Sequence, residues 1–180
     1  IDINIPSFIK GTGMHKKVLT EQSIYFGDVS MPKDWEIDGI DLAHHILHST
    51  FKDTKILPSK TLDKLSAYIR EFTQLKHDIT LVDHKKWGNI YKPQQTSIPL
   101  LHIDPVDLRN SPDYTLLYGV QVKDCSVRIH YDDNRRKGRY WDMALTDNQF
   151  IMFPSTNMYY ITNDQKDSLN FIQTITYEYI

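Results

Sequence analysis

Two His-x-Asp triplets, His102-Ile103-Asp104 and His130-Tyr131-Asp132, are the residues of this sequence best placed to do chemistry. On an extended strand, residues i and i+2 project from one face, so each triplet sets an imidazole beside a carboxylate. Such a pair supplies two of the three protein ligands of a two-His-one-carboxylate facial site for non-haem Fe(II). Roughly one such triplet is expected by chance in a chain with this many His and Asp residues. Taken alone, it equally describes two polar residues at a strand end. Other candidates carry less. His44 and His48 are i, i+4 on a predicted helix, a spacing able to clamp a metal, yet no third ligand accompanies them and packing at the helix surface is the simpler expectation. The run Arg135-Arg136-Lys137 fits an exposed hairpin loop better than a contact to phosphate or an acidic partner. Gly11-Thr12-Gly13 lacks the strand–loop–Lys context of a phosphate loop. Cys125 has no acid–base partner in sequence and reads as a small buried side chain. No nucleophilic triad emerges.

The elements that must position these residues divide the chain in two. Between residues 37 and 51, Ile40, Ala43, Leu47 and Phe51 fall on one stripe of a 3.6-residue helix. A second helix follows Pro58-Ser59, with Ser59 as N-cap and a stripe of Leu62, Leu65, Tyr68, Ile69, Phe72 and Leu75. After His77 the pattern changes to short β-prone runs separated by Gly, Pro, Asn and Asp. Strands are expected near 79–83, 87–92, 97–103, 115–122, 126–131, 149–153, 158–162 and 169–179, with 132–141 a basic, turn-rich loop. Helices first and about eight strands after predict one α+β domain: a helical part over 1–78, then a sandwich or rolled barrel over 79–180.

Composition bounds the function classes. The chain has 180 residues, enough for one domain, of which 40% are hydrophobic and 24% charged, the balance of a globular protein. A formal net charge of −2 gives no basic excess for general binding to nucleic acid or an anionic membrane. No apolar run approaches the roughly 20 residues of a membrane span, and Ile1-Asp2-Ile3-Asn4-Ile5-Pro6 reads as no signal peptide. A single cysteine excludes an internal disulfide and a thiolate zinc cage. The expectation is a protein of a reducing compartment, the cytoplasm.

Four segments taken together resemble the 2-oxoglutarate/Fe(II)-dependent oxygenase superfamily, especially small prolyl-hydroxylase-like proteins of marine tailed phages. They are Trp87-Gly88-Asn89-Ile90-Tyr91, His102-Ile103-Asp104, Leu116-Leu117-Tyr118-Gly119-Val120-Gln121-Val122, and Phe150-Ile151-Met152-Phe153-Pro154-Ser155. Their order and spacing match over residues 87–180, about half the chain. The resemblance implies a double-stranded β-helix (jelly roll) of about eight mainly antiparallel strands preceded by helices. It also implies Fe(II) held by His102 and Asp104, and 2-oxoglutarate as cosubstrate, with Tyr118 and Asn170 among the residues around it. The substrate would be a protein or a small molecule. A phage relative would work in the host cytoplasm or in a virion, and self-association is compatible with the sequence.

Two departures from the family pattern bear directly on function. The His that completes the metal site about six positions after the Phe-Pro motif is replaced by Tyr159, and no histidine follows His130. The Arg that anchors the cosubstrate on the last strand is missing from Ser168-Leu169-Asn170-Phe171-Ile172-Gln173. A phenol is a poor neutral ligand for Fe(II). Arg128 and His130 are i and i+2 on one strand, so an inward face would let His130 replace the missing ligand and Arg128 the missing clamp. Apolar parity favours the opposite arrangement, with Val127, Ile129 and Tyr131 inward. The third metal position is thus open to His130, to Tyr159 or to water. In a degenerate pocket, Tyr159 or Tyr160 fills the space and bonds to Asp104. The two readings that follow are an oxygenase with a non-standard site and a catalytically inactive jelly roll serving as a phage structural or host-protein-binding module.

Overall fold

The computed structural model describes residues 14–19, 21–30, 37–51, 59–132 and 138–180. Among them are β1 (Tyr25–Asp28), α1 (Gly39–Phe51), α2 (Lys60–His77), β2 (Leu81–Tyr91), β3 (Tyr114–Gln121), β4 (Cys125–Tyr131), β5 (Arg139–Leu145), β6 (Gln149–Pro154), β7 (Tyr159–Asn163) and β8 (Asn170–Tyr179). The strands form a five-stranded sheet in the order β1-β6-β3-β8-β2 and a three-stranded sheet in the order β5-β4-β7. Every strand pairing is antiparallel. Both helices pack on the larger sheet, so the fold is an α+β jelly-roll-like sandwich with its helices on one outer face.

Side-chain alternation builds two cores from the same strands. On β3 and β6, Leu116, Tyr118, Phe150 and Met152 face the helices and meet Leu42, Ile46, Leu65 and Ile69. Their neighbours Leu117, Ile151 and Phe153 face the smaller sheet and meet Val127, Ile129, Tyr159 and Ile161. Strands covered on both faces become nearly continuous apolar runs, and β3 is buried from Thr115 to Val120. β4 is covered on one face only and alternates: Cys125, Val127 and Ile129 are buried while Arg128 is exposed.

Ser59 caps α2 as expected, its hydroxyl accepting from the Leu62 N–H at 3.2 Å. Asp78 ends the helix in the left-handed region at φ 54°. The buried face of α2 is Leu62, Leu65, Ser66, Ile69 and Thr73, whereas Leu75 is exposed. In α1 the buried residues are Leu42, Ala43 and Ile46, and the predicted stripe members Ile40 and Leu47 are exposed. The side chain of Phe51, Pro58, Gly11-Thr12-Gly13 and Arg135-Arg136-Lys137 lie outside the described residues. A Cβ on Gly88 would overlap the Ile46 side chain, so glycine is what lets α1 lie against β2.

The strands depart from the sequence reading in four places. The expected strands 79–83 and 87–92 are one strand, β2, with a register shift between Asp83 and Lys85. Residues 97–103 form no strand; Leu100 makes an isolated bridge to Tyr159 on β7, and Thr96, just before them, one to Thr162. Part of the expected loop is β5, which pairs with β4 from Cys125–Leu145 to Tyr131–Arg139. β1, within the part read as helical, pairs with β6. No helix among the described residues is long and apolar enough to cross a membrane.

Candidate functional site

Tyr159 opens β7 on the face that points between the sheets and is buried. Its ring packs edge-on to Phe153, with centroids 5.1 Å apart. Its hydroxyl lies 2.6 Å from His102 Nε2. His102, two residues past the Leu100 bridge, is half-buried, and Trp87 on β2 closes on its ring edge-on at 5.0 Å. Burial pushes the His102 imidazole below its ordinary value, favouring the neutral ring. Burial, with a smaller contribution from Tyr91, pushes the Tyr159 phenol far above its ordinary value, so it keeps its proton. The pair is therefore a short neutral hydrogen bond, and whichever partner donates, Nε2 is engaged by the phenol.

Asp104 does not join this pair. It is exposed, its Oδ1 accepts from the Val106 N–H at 2.9 Å, and its own N–H donates to Ser111 Oγ at 2.9 Å. These bonds make Asp104 the first residue of a turn, so the strand rule that sets i beside i+2 does not operate here. Tyr159, which the degenerate reading of the sequence bonds to Asp104, bonds instead to His102.

Arg128 and His130 lie on the outer face of the smaller sheet. Arg128 makes two hydrogen bonds to Asp142, 2.8 and 3.0 Å, and its guanidinium sits 4.0 Å from the centre of the Tyr140 ring. The His130 ring lies among those of Tyr140 and Tyr160, at 6.1 and 5.4 Å. The intervening Val127 and Ile129 take the inward places, so the inward alternative is not the one adopted. Asp132, the carboxylate of the second triplet, is exposed. Tyr118 faces the helices, its hydroxyl donating to Asn148 Oδ1 at 2.7 Å, with the sheet between it and Tyr159. Asn170 is buried at the start of β8, where its Oδ1 accepts from the Lys123 N–H at 3.0 Å and Gln165 Nε2 at 2.6 Å. It pairs with Tyr91, while Thr174, four residues on, pairs with Trp87. Asn170 therefore lies about 13 Å along the strand from the Trp87–His102 contact. His44 and His48 are exposed on α1. Cys125 is buried, which pushes its thiol up to about 12.

These donors do not fit a three-ligand Fe(II) site. Cis ligands at 2.0–2.2 Å from one ion stand about 2.8–3.1 Å apart; His102 Nε2 and the Tyr159 oxygen are at hydrogen-bond distance, 2.6 Å. Tyr159 is a protonated phenol and Asp104 is turned to a backbone N–H. Among the described residues no group of three or more His, Cys, Asp or Glu side chains is placed to hold a metal. The edge-on Trp87 and the direct His102–Tyr159 bond were not in the sequence reading. The Trp-x-Asn motif marked Trp87 as notable without saying what it touches.

The fold is shared with oxygenases. A prolyl-4-hydroxylase from Pseudomonas putida superposes with a TM-score of 0.60 at 11% identity, covering 87% of this chain and 85% of the other. A prolyl hydroxylase from Trichoplax adhaerens, solved with a hypoxia-inducible-factor peptide, gives 0.58 at 9% identity over 86% and 83%. A non-haem α-ketoglutarate-dependent epimerase of nogalamycin biosynthesis gives 0.61 at 8% identity over 87% and 77%. No family model matches the chain, and no curated protein matches it by sequence.

Proposed function

We propose that this chain uses an oxygenase-type jelly roll to bind a partner rather than to oxidise one. The observation that carries the reading is the 2.6 Å bond between His102 Nε2 and the Tyr159 hydroxyl, which occupies the nitrogen a metal would need. Three further placements agree with it. Asp104 caps a turn, the one arginine considered as a clamp is paired outside with Asp142, and the stretch Ser168-Leu169-Asn170-Phe171-Ile172-Gln173, where the resemblance expects an Arg, holds none. The role is that of a structural or host-protein-binding module, in a host cytoplasm or a virion. Fold similarity leaves the activity to be decided by the site.

A second reading is favoured by the retained His102-x-Asp104 pair and by the activities named for the similar structures. It is an Fe(II)/2-oxoglutarate-dependent hydroxylase with a non-standard site drawn from His102, Asp104, Tyr159 and His130. Anaerobic titration with Fe(II), with and without 2-oxoglutarate, separates the two. The binding reading expects no uptake near stoichiometric metal and no new absorption band. A charge-transfer band appearing only with both added overturns it and establishes the hydroxylase reading.

A further inference from the structure

Behind the larger sheet, on the face away from the His102–Tyr159 pair, both helices pack on β2. A cleft of about 190 Å³ lies there, bordered by Ser49 and Thr50 of α1, Leu62 of α2, Lys86 and Gly88 of β2, and Gln173 of β8. A cavity of roughly 150 Å³ holds benzene, so this cleft admits a molecule of about that size. Gln173 alternates on β8 with Ile175 and Tyr177, which belong to the core between helices and sheet. It is 1% exposed. Its Nε2 donates to the Trp87 carbonyl at 2.9 Å and to the Thr174 carbonyl at 3.2 Å. Carbonyls only accept, so these two bonds fix which end of the amide is oxygen. Oε1 is turned away from them, buried and with no hydrogen-bond partner among the described residues. A buried acceptor is costly to leave unpaired, and the cleft that Gln173 borders is where a donor reaches it.

The rest of the wall defines the donor. The Ser49 and Thr50 hydroxyls both donate to the Ile46 carbonyl, at 3.1 and 2.8 Å, so toward the cleft their oxygens only accept. Lys86 Nζ lies 2.9 Å from Asp83 Oδ2 and 3.2 Å from Asp63 Oδ1, which leaves its third proton to give. Arg70 Nε stands 3.2 Å from Asp83 Oδ1. Two cations thus meet two carboxylates, and neither a cation nor an anion gains from the net charge of the group. The complement of this wall is a neutral group with two N–H donors beside one acceptor. We propose that the cleft binds a small free molecule carrying a neutral primary amide. The amide NH₂ donates to Gln173 Oε1 and Ser49 Oγ, its carbonyl accepts the third proton of Lys86 Nζ, and its hydrocarbon part lies against Leu62.

The test titrates propionamide into the full chain and follows the Gly88 amide and the Gln173 side-chain NH₂ by nitrogen–proton NMR. The buffer is held at about pH 8, above the ordinary range of histidine, because His45 also borders the cleft. Saturable shifts of both signals are expected, with a Kd of roughly 1 mM. N,N-dimethylpropionamide, which has no N–H, and propionate should bind at least about tenfold more weakly. Gln173→Met keeps the length of the side chain without its acceptor and should weaken propionamide about tenfold. If that variant fails to fold, Ser49→Ala decides, since alanine suits a helix; it is expected to weaken binding at least about threefold. No saturable shift up to about 100 mM, equal binding of the dimethyl amide, or undiminished affinity in the folded variant overturns the proposal. Tighter binding of methylguanidinium overturns it in favour of a cation. A crystal soaked in propionamide that keeps only an ordered water on Gln173 Oε1 overturns it as well.

Discussion

The buried Tyr159 packs its ring edge-on to Phe153 and bonds its hydroxyl to His102 Nε2, and the consequences are measurable at single residues. Tyr159→Phe keeps the ring against Phe153 and removes the bond, leaving His102 Nε2 unsatisfied in a half-buried place. Chemical denaturation is expected to show a loss of about 1–3 kcal/mol. His102 adds a dependence on pH. Its pKa is lower folded than unfolded, so the unfolded chain binds the proton more readily. The stability that His102 contributes is complete above its ordinary value of 6.5 and declines as pH falls below it. Melting temperatures of the wild type and His102→Gln should differ by a constant amount between about pH 7 and 8 and converge toward about pH 5. A gap that widens on acidification would contradict the burial argument. At this scale the sequence was readable where apolar residues alternate along a strand: the outward Arg128 follows from the inward Val127 and Ile129. Asp104 was not readable, because it lies past the last bridge of 96–100 in a turn set by its own side chain. Local hydrogen bonding there outweighs the two-residue period.

The contact of α1 with β2 depends on Gly88, where an added Cβ would overlap the Ile46 side chain. Gly88→Ala is expected to push the helix from the sheet at a cost of about 1–3 kcal/mol. Ile46→Ala makes room, so the two changes together should cost less than the sum of the single ones, by about 0.5–3 kcal/mol in a double-mutant cycle. Additive effects would mean that the helix does not rest on that glycine. Helix positions were legible from period and cap, as Ser59 shows, but the buried face of α1 was not. Ile40 and Leu47 complete an apolar stripe in sequence, whereas the sheet covers Leu42, Ala43 and Ile46. Hydrophobic residues outnumber the places a three-turn helix can bury, and the partner surface chooses among them. β5 escaped notice for a related reason. Arg139-Tyr140-Trp141-Asp142 mixes charge and aromatics as an exposed edge does, and only its pairing with β4 marks it as a strand.

Helices followed by antiparallel strands could be read from the change of period after His77, and with them the α+β class. The face of the sandwich covered by the helices could not. β3, β6 and β8 bury side chains on both faces, so their sequences are runs without the alternation that marks a solvent side. That double burial has a mechanical consequence for the whole molecule. Leu65 lies in the core between helices and sheet, and Leu117 in the core between the two sheets; both are fully buried. The strand carrying Leu117 carries Leu116 and Tyr118 into the other core, so neither core can come apart while the larger sheet persists. Leu65→Ala and Leu117→Ala are each expected to cost about 2–5 kcal/mol. In each variant the helical signal at far-ultraviolet wavelengths and the aromatic signal at near-ultraviolet wavelengths should fall in one coincident transition. If Leu65→Ala split the two signals, with helical signal lost first and the sandwich melting later as in the wild type, the helices would be an independent layer, and the larger sheet would not couple the two cores.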